Sequence, residues 1–222
     1  MSFIKMSSGI SKKQICSDLI GIGIFMSGER TSFKDHPITP EAAIVNAVSI
    51  AKSDRLILQL MHTWIMNYSE IIHVEALKHL IKDAEPVGRA ILASLLSHTG
   101  DRKFEAALKR AKVPENESNH GLHKMMDFAA KIGQVPYDKH FKKFGLSVSA
   151  LVMESEKKMI HFEHIVEINP FIKYRYVFGA NWRADIAALM TLSEYTPTEV
   201  TKLLGCSCET ARRYMKGPEL IG

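Results

Sequence analysis

Two thiols separated by one serine, Cys206 and Cys208 in "LLGCSCETARRYMK", are the side chains whose type most invites a chemical role. As thiolates, such a pair binds soft metals or exchanges with disulfides. A structural zinc site takes four ligands, with two to four residues between paired cysteines, and a redox pair takes two. A single intervening residue, with only the distant Cys16 besides, fits neither pattern. The thiols therefore read as turn and helix-start residues. Cys206 is expected to tuck inward as a small hydrophobe. Cys208 is expected to open a helix, where the positive end of the dipole could lower its pKa and make it oxidisable.

Other constellations have local explanations. In "HFEHIVE", His161, His164 and Glu167 recur at successive helical turns, a metal-ligand spacing that lacks the H-E-x-x-H pattern. Partly exposed helical histidines are the simpler reading, and no metal is expected. "GIGIFMSG" lacks the Lys-Ser/Thr of a phosphate loop, and no G-x-S-x-G is present. No catalytic residues are assigned, no enzyme activity is expected and no cofactor is implied. "KHFKKFG" interleaves bases with aromatics, which suits nucleic-acid backbones or a short amphipathic helix equally.

The elements that position the thiols are sharply punctuated. Asn181 can cap "WRADIAALMTL", with Trp182, Ile186, Leu189 and Met190 on one face. Thr196 starts the next helix, with Pro197 at its first position and Glu199 completing a capping box. That helix turns Val200, Leu203 and Leu204 inward and stops at Gly205, which is free to turn left-handed. Ser207 can cap "CETARRYMK", whose inward residues would be Ala211 and Tyr214 or Met215, and Gly217-Pro218 would end it.

Three helices with a tight glycine-bearing turn before the last follow the tri-helical helix-turn-helix plan. Over about 40 residues the segment resembles the bacterial helix-turn-helix transcriptional regulators. It departs from them at Thr201, where alanine is commoner, and at Ala211, where a larger aliphatic is usual. "RYVFGANWRADI" also looks like the lead-in to the winged-helix segment of some bacterial regulators, although six residues after Lys216 leave no room for a wing.

The resemblance implies double-stranded DNA as partner and a recognition helix from Ser207 to Lys216. Cys208, Glu209 and Arg212 would face the bases, flanked by Thr210 and Arg213. Arginine pairs with guanine, and glutamate accepts from cytosine. Thr198, Lys202 and Lys216 would contact phosphates, helped by the positive start of the second helix. The competing reading makes the arginines a solvated face on a three-helix unit that docks a protein, the whole chain then being a helical adaptor.

The remainder is helical by pattern. "TPEAAIVNAVSIAKS", "DRLILQLMHTWIMNYS", "SEIIHVEALKHLIKDA", "EPVGRAILASLLSHTG" and "DRKFEAALKRAK" carry helical apolar spacing and short connections. "LHKMMDFAAKIG" and "YDKHFKKFG" add two short helices after a turn-rich break at 113–121. The expected fold is all-α, a helical bundle or helical-hairpin stack followed by the helix-turn-helix. The expected divisions are an N-terminal segment at 1–36, a helical domain at 37–145, a connector at 146–178 and a helix-turn-helix domain at 179–222. "KMIHFEHIVEINPFIKYRYVF", within that connector, reads equally as a helix plus extended chain or as two strands.

A chain of 222 residues, 46% hydrophobic, can bury a real core. The longest apolar stretch, "LIGIGIFM", is too short to span a bilayer, and no clean signal-peptide cleavage site follows it. Three cysteines make no disulfide framework, so the expected setting is cytoplasmic. The net charge of +5 alternates along the chain, and residues 171–222 carry only +2. A homodimer is expected, with a protein partner or effector at the helical domain and no membrane.

Overall fold

The computed structural model describes residues 10–111, 132–154 and 158–216. Among these the fold is all-α, with twelve α-helices, two short 3-10 turns and isolated bridges at Ile24–Met159 and Tyr137–Ser149. The helices are α1 (Lys12–Gly21), α2 (Pro40–Ala51), α3 (Arg55–Tyr68), α4 (Val74–Ile81), α5 (Pro86–His98) and α6 (Glu105–Ala111). They continue as α7 (Lys139–Lys143), α8 (Phe162–Ile168), α9 (Pro170–Phe178), α10 (Trp182–Leu192), α11 (Pro197–Leu204) and α12 (Cys208–Met215). The helix expected from "LHKMMDFAAKIG", the break at 113–121 and the stop at Gly217-Pro218 lie outside the described residues. Among the described residues no helix is long and apolar enough to cross a membrane.

Side-chain caps start most of these helices where the sequence places them. Thr39 Oγ1 accepts from the Ala42 amide at 3.3 Å, with Pro40 at the first position of α2. Asp54 Oδ1 caps α3 through the Ile57 amide at 3.2 Å. Each satisfies one of the donors that a helix start leaves open.

The hub is α2, which touches α1, α3, α4 and α5. Its Ala43, Ile44, Val45, Ala47, Val48 and Ala51 are all buried. Small residues let neighbours approach: a Cβ on Gly88 of α5 would lie 3.2 Å from Val48. Trp64 of α3 is fully buried, and its indole N–H donates to the Ile22 carbonyl at 2.7 Å, tying α3 to the end of α1.

Among the described residues of the ambiguous 146–178 region, 146–154 and 158–161 form no α-helix and two helices follow. Asn169 is the last cap of α8 and the first of α9, its Oδ1 accepting from the Ile172 amide at 3.1 Å. Its Nδ2 donates to the Gly21 carbonyl at 3.0 Å, so the helix break is also a contact to α1. Pro170 takes the first position of α9, where its missing N–H leaves no helical bond unmade. One continuous apolar core runs from Ile15 through Val200, Leu204, Cys206 and Ala211.

A polar defect sits where α3, α5 and α7 meet. His62 is buried with no hydrogen-bond partner for either ring nitrogen. Its ring lies 4.5 Å from His98, which stacks on His140 at 4.1 Å. His98 Nε2 is 3.2 Å from Asp138 Oδ1, and Asp138 caps α7. Burial, with the neighbouring His98 second, pulls the His62 pKa from 6.5 down to about 4. The unfolded chain therefore takes up a proton that the fold refuses between those values, and stability rises with pH across the window. The loss for wild type on going from pH 8 to pH 5 is about 2 kcal/mol from this group alone. His62→Leu is expected to remove that loss, read from urea unfolding at the two pH values.

Candidate nucleic-acid interface

The last three helices form a unit in which α10, α11 and α12 all touch one another. Asn181 caps α10 through the Ala184 amide at 3.0 Å. The Thr196 hydroxyl accepts from the Glu199 amide at 3.3 Å, and the Thr196 amide donates to Glu199 Oε2 at 2.8 Å, a complete capping box. These hydrogen bonds, first from the Thr196 backbone, hold the Glu199 carboxyl below its ordinary value. An acidic group thus already occupies the start of α11, and a phosphate there would have to share it.

Gly205 ends α11 with φ 78°, in the left-handed region, and its amide donates to the Thr201 carbonyl. A Cβ at this position would sit 2.5 Å from the His79 ring, so α4 of the helical body braces the turn. Cys206 follows, buried, its thiol pushed up to about 11 chiefly by that burial, which keeps it protonated. Ser207 caps α12 by accepting from the Thr210 amide at 3.0 Å, and the two hydroxyls lie 2.8 Å apart. All three cysteines are free thiols, and Cys208, part-exposed, opens α12.

Ala211 is fully buried and fixes the inner side of α12. Glu209, Arg212, Arg213 and Lys216 are exposed, and their spacing puts them on the opposite face. Among the described residues no carboxylate pairs with either guanidinium. Ser207 is exposed and Thr210 part-buried, both committed to the cap. On α11, Thr198 and Lys202 are exposed.

The unit is locked to the body by a network that sequence reasoning missed. Arg175 of α9 is buried and donates from Nη1 and Nη2 to the two Glu41 oxygens at 2.7 and 2.8 Å. It also donates from Nε to Asp185 Oδ1 at 2.6 Å and from Nη1 to the Ile71 carbonyl at 3.0 Å. His73 Nδ1 donates to Asp185 Oδ2 at 2.6 Å, and the His73 amide donates to Glu41 Oε1 at 2.8 Å. Arg175 holds the Asp185 carboxyl below its ordinary value against the opposing effect of burial. Body helix α2, connector helix α9 and α10 thus share one buried set of charges.

The other sequence candidates do not assemble into sites. His161 caps α8 without a side-chain bond, while His164 and Glu167 are exposed and 3.5 Å apart. Among the described residues no group of three His, Cys, Asp or Glu could hold a metal ion. In "KHFKKFG" both Phe141 and Phe144 are buried, so the aromatics belong to the core and offer no stacking platform for bases. No family model, curated protein or solved structure matches the chain, so a functional reading stands on the geometry of the chain itself.

Proposed function

We propose that this chain is a DNA-binding transcriptional regulator that uses α11 and α12 as a helix-turn-helix. The observation that carries the reading is the outer face of α12, where Arg212, Arg213, Lys216 and Glu209 stand exposed while Ala211 pins the inner side. A helix presented in this way enters a major groove, where arginines read guanine edges or grip phosphates. Lys202 and Thr198 on α11 supply backbone contacts. Two copies on paired half-sites would multiply affinity, so a homodimer is the expected form. The helical body holds the unit in place and is where an effector or protein partner would act. The test is salt-dependent binding to a labelled duplex that weakens when Arg212 and Arg213 are removed. Wild type that fails to bind at low salt would leave the helical adaptor, with α12 as a protein-docking surface.

A further inference from the structure

A cleft of about 400 Å³ opens between residues 30–34, α8, α9 and the end of α10. Its cations are Arg30, Lys34 and Lys173, against one carboxylate, Glu167. All four are exposed at its rim. Arg30 is partly committed: its Nη1 donates to the Ile168 carbonyl at 3.5 Å and its guanidinium lies 5.9 Å over Phe33. The two lysines have no such tie among the described residues.

The cleft is too open for an enclosed small-molecule site, which normally covers most of its ligand. Its place matters more. Leu192 closes α10 and lines the cleft, and Pro197 begins α11 five residues later. That connection spans at most about 17 Å of extended chain, or about five base pairs of duplex at 3.4 Å each. A strand of DNA crossing the start of α11, as the helix-turn-helix plan requires, therefore passes within reach of the cleft. The carboxylate of Glu199 already sits at that helix start, so positive charge for the backbone has to come from alongside it.

We propose that this cleft is a second phosphate-backbone site for duplex DNA, with Lys34 and Lys173 neutralising phosphates next to those contacted by α11 and α12. The inference rests on the DNA-binding reading. Lysine suits this role as a mobile point charge that carries no sequence information. Glu167 opposes it and sets a limit on how tightly the backbone is held.

The test measures fluorescence anisotropy of a labelled mixed-sequence duplex at several salt concentrations. Wild type is compared with Lys34→Gln/Lys173→Gln, with Glu167→Gln, and with Arg212→Ala/Arg213→Ala as the reference for α12. The lysine pair is expected to lower the log–log salt slope by about 1.8, two phosphates at about 0.9 each. Glu167→Gln is expected to tighten binding without relaxing sequence preference. An unchanged slope in the lysine variant, with a reduced slope in the arginine variant, would overturn the cleft and leave the DNA-binding reading standing. No binding by wild type would overturn both. A fluorescent adenine nucleotide serves as the small-anion probe. Saturable binding of it that is lost in the lysine variant, with the DNA slope intact, would make the cleft a small-ligand pocket and overturn the proposal.

Discussion

Arg175→Met is expected to cost the fold about 3–5 kcal/mol, because it leaves two carboxylates buried without the cation that both bind. Glu41 and Asp185 are both fully buried, and Arg175 supplies both with direct hydrogen bonds. The pH dependence gives the result its signature. In wild type, Arg175 depresses the Asp185 pKa, so that group's contribution is present at neutral pH and disappears as acid protonates it. Without the arginine, burial is no longer outweighed and the Asp185 carboxyl rises above its value in the unfolded chain. The variant's Asp185 then binds a proton more readily folded than unfolded, and its penalty relative to wild type, which carries the same His62 loss, shrinks from pH 7 down to pH 5. Urea unfolding at those two values checks it. A loss under 1 kcal/mol at pH 7, or a penalty relative to wild type that does not shrink on acidification, would mean that the network does not bear on the fold as described. Arg175→Lys keeps the charge but not the fork that grips both Glu41 oxygens, and should fall between the two.

Gly205→Ala acts on the turn that aims α12. Alanine in the left-handed region costs about 1–2 kcal/mol. The added methyl also meets His79 at 2.5 Å, so either the α4 side chain or the turn has to move. Pairing the change with His79→Ala separates the two causes: relief of the contact restores part of the loss, and the backbone cost stays. Thermal unfolding measures the stability of each single and double variant. DNA affinity in Gly205→Ala should fall more than stability alone explains, because the arginines on α12 are displaced while the helical body remains folded. Full DNA affinity in that variant would separate the turn from the function.

What the sequence displayed clearly was punctuation. Asn181, the Thr196–Glu199 box, Gly205 and Ser207 each act within four residues, and each stands in the structure at the helix end expected of it. Short-range chemistry of this kind is legible because the donor and acceptor are near neighbours along the chain. The inward turn of Ala211 followed from helical spacing, and that of Cys206 from its character as a small hydrophobe in the turn.

The buried network was not legible, because its members are scattered. Arg175 lies 134 residues from Glu41, and His73 lies 112 from Asp185. Locally, Glu41 is an ordinary acid in a first helical turn and Asp185 another. The available signal was Arg175 itself, a cation in the aromatic run "FIKYRYVF", whose position is apolar on its helix. The boundary drawn at 179 also passes between Arg175 and Asp185, whose side chains are joined. The texture of 146–178 misled for a different reason. Two short helices abut at Asn169-Pro170, so neither is long enough to show a helical period, and their aromatics look like strand residues. The cleft at 30–34 escaped because its cations come from a loop and a helix far apart in sequence.

The most direct measurement is the salt dependence of duplex binding by wild type beside Arg212→Ala/Arg213→Ala. The two arginines stand exposed on the outer face of α12, opposite the buried Ala211. If they grip phosphates, the double variant loses about 1.8 from the slope. If they read bases, the slope holds while preference among duplex sequences flattens. Either result places DNA on α12. Binding that is unaltered in slope, affinity and preference, or no binding by wild type at low salt, would contradict the account.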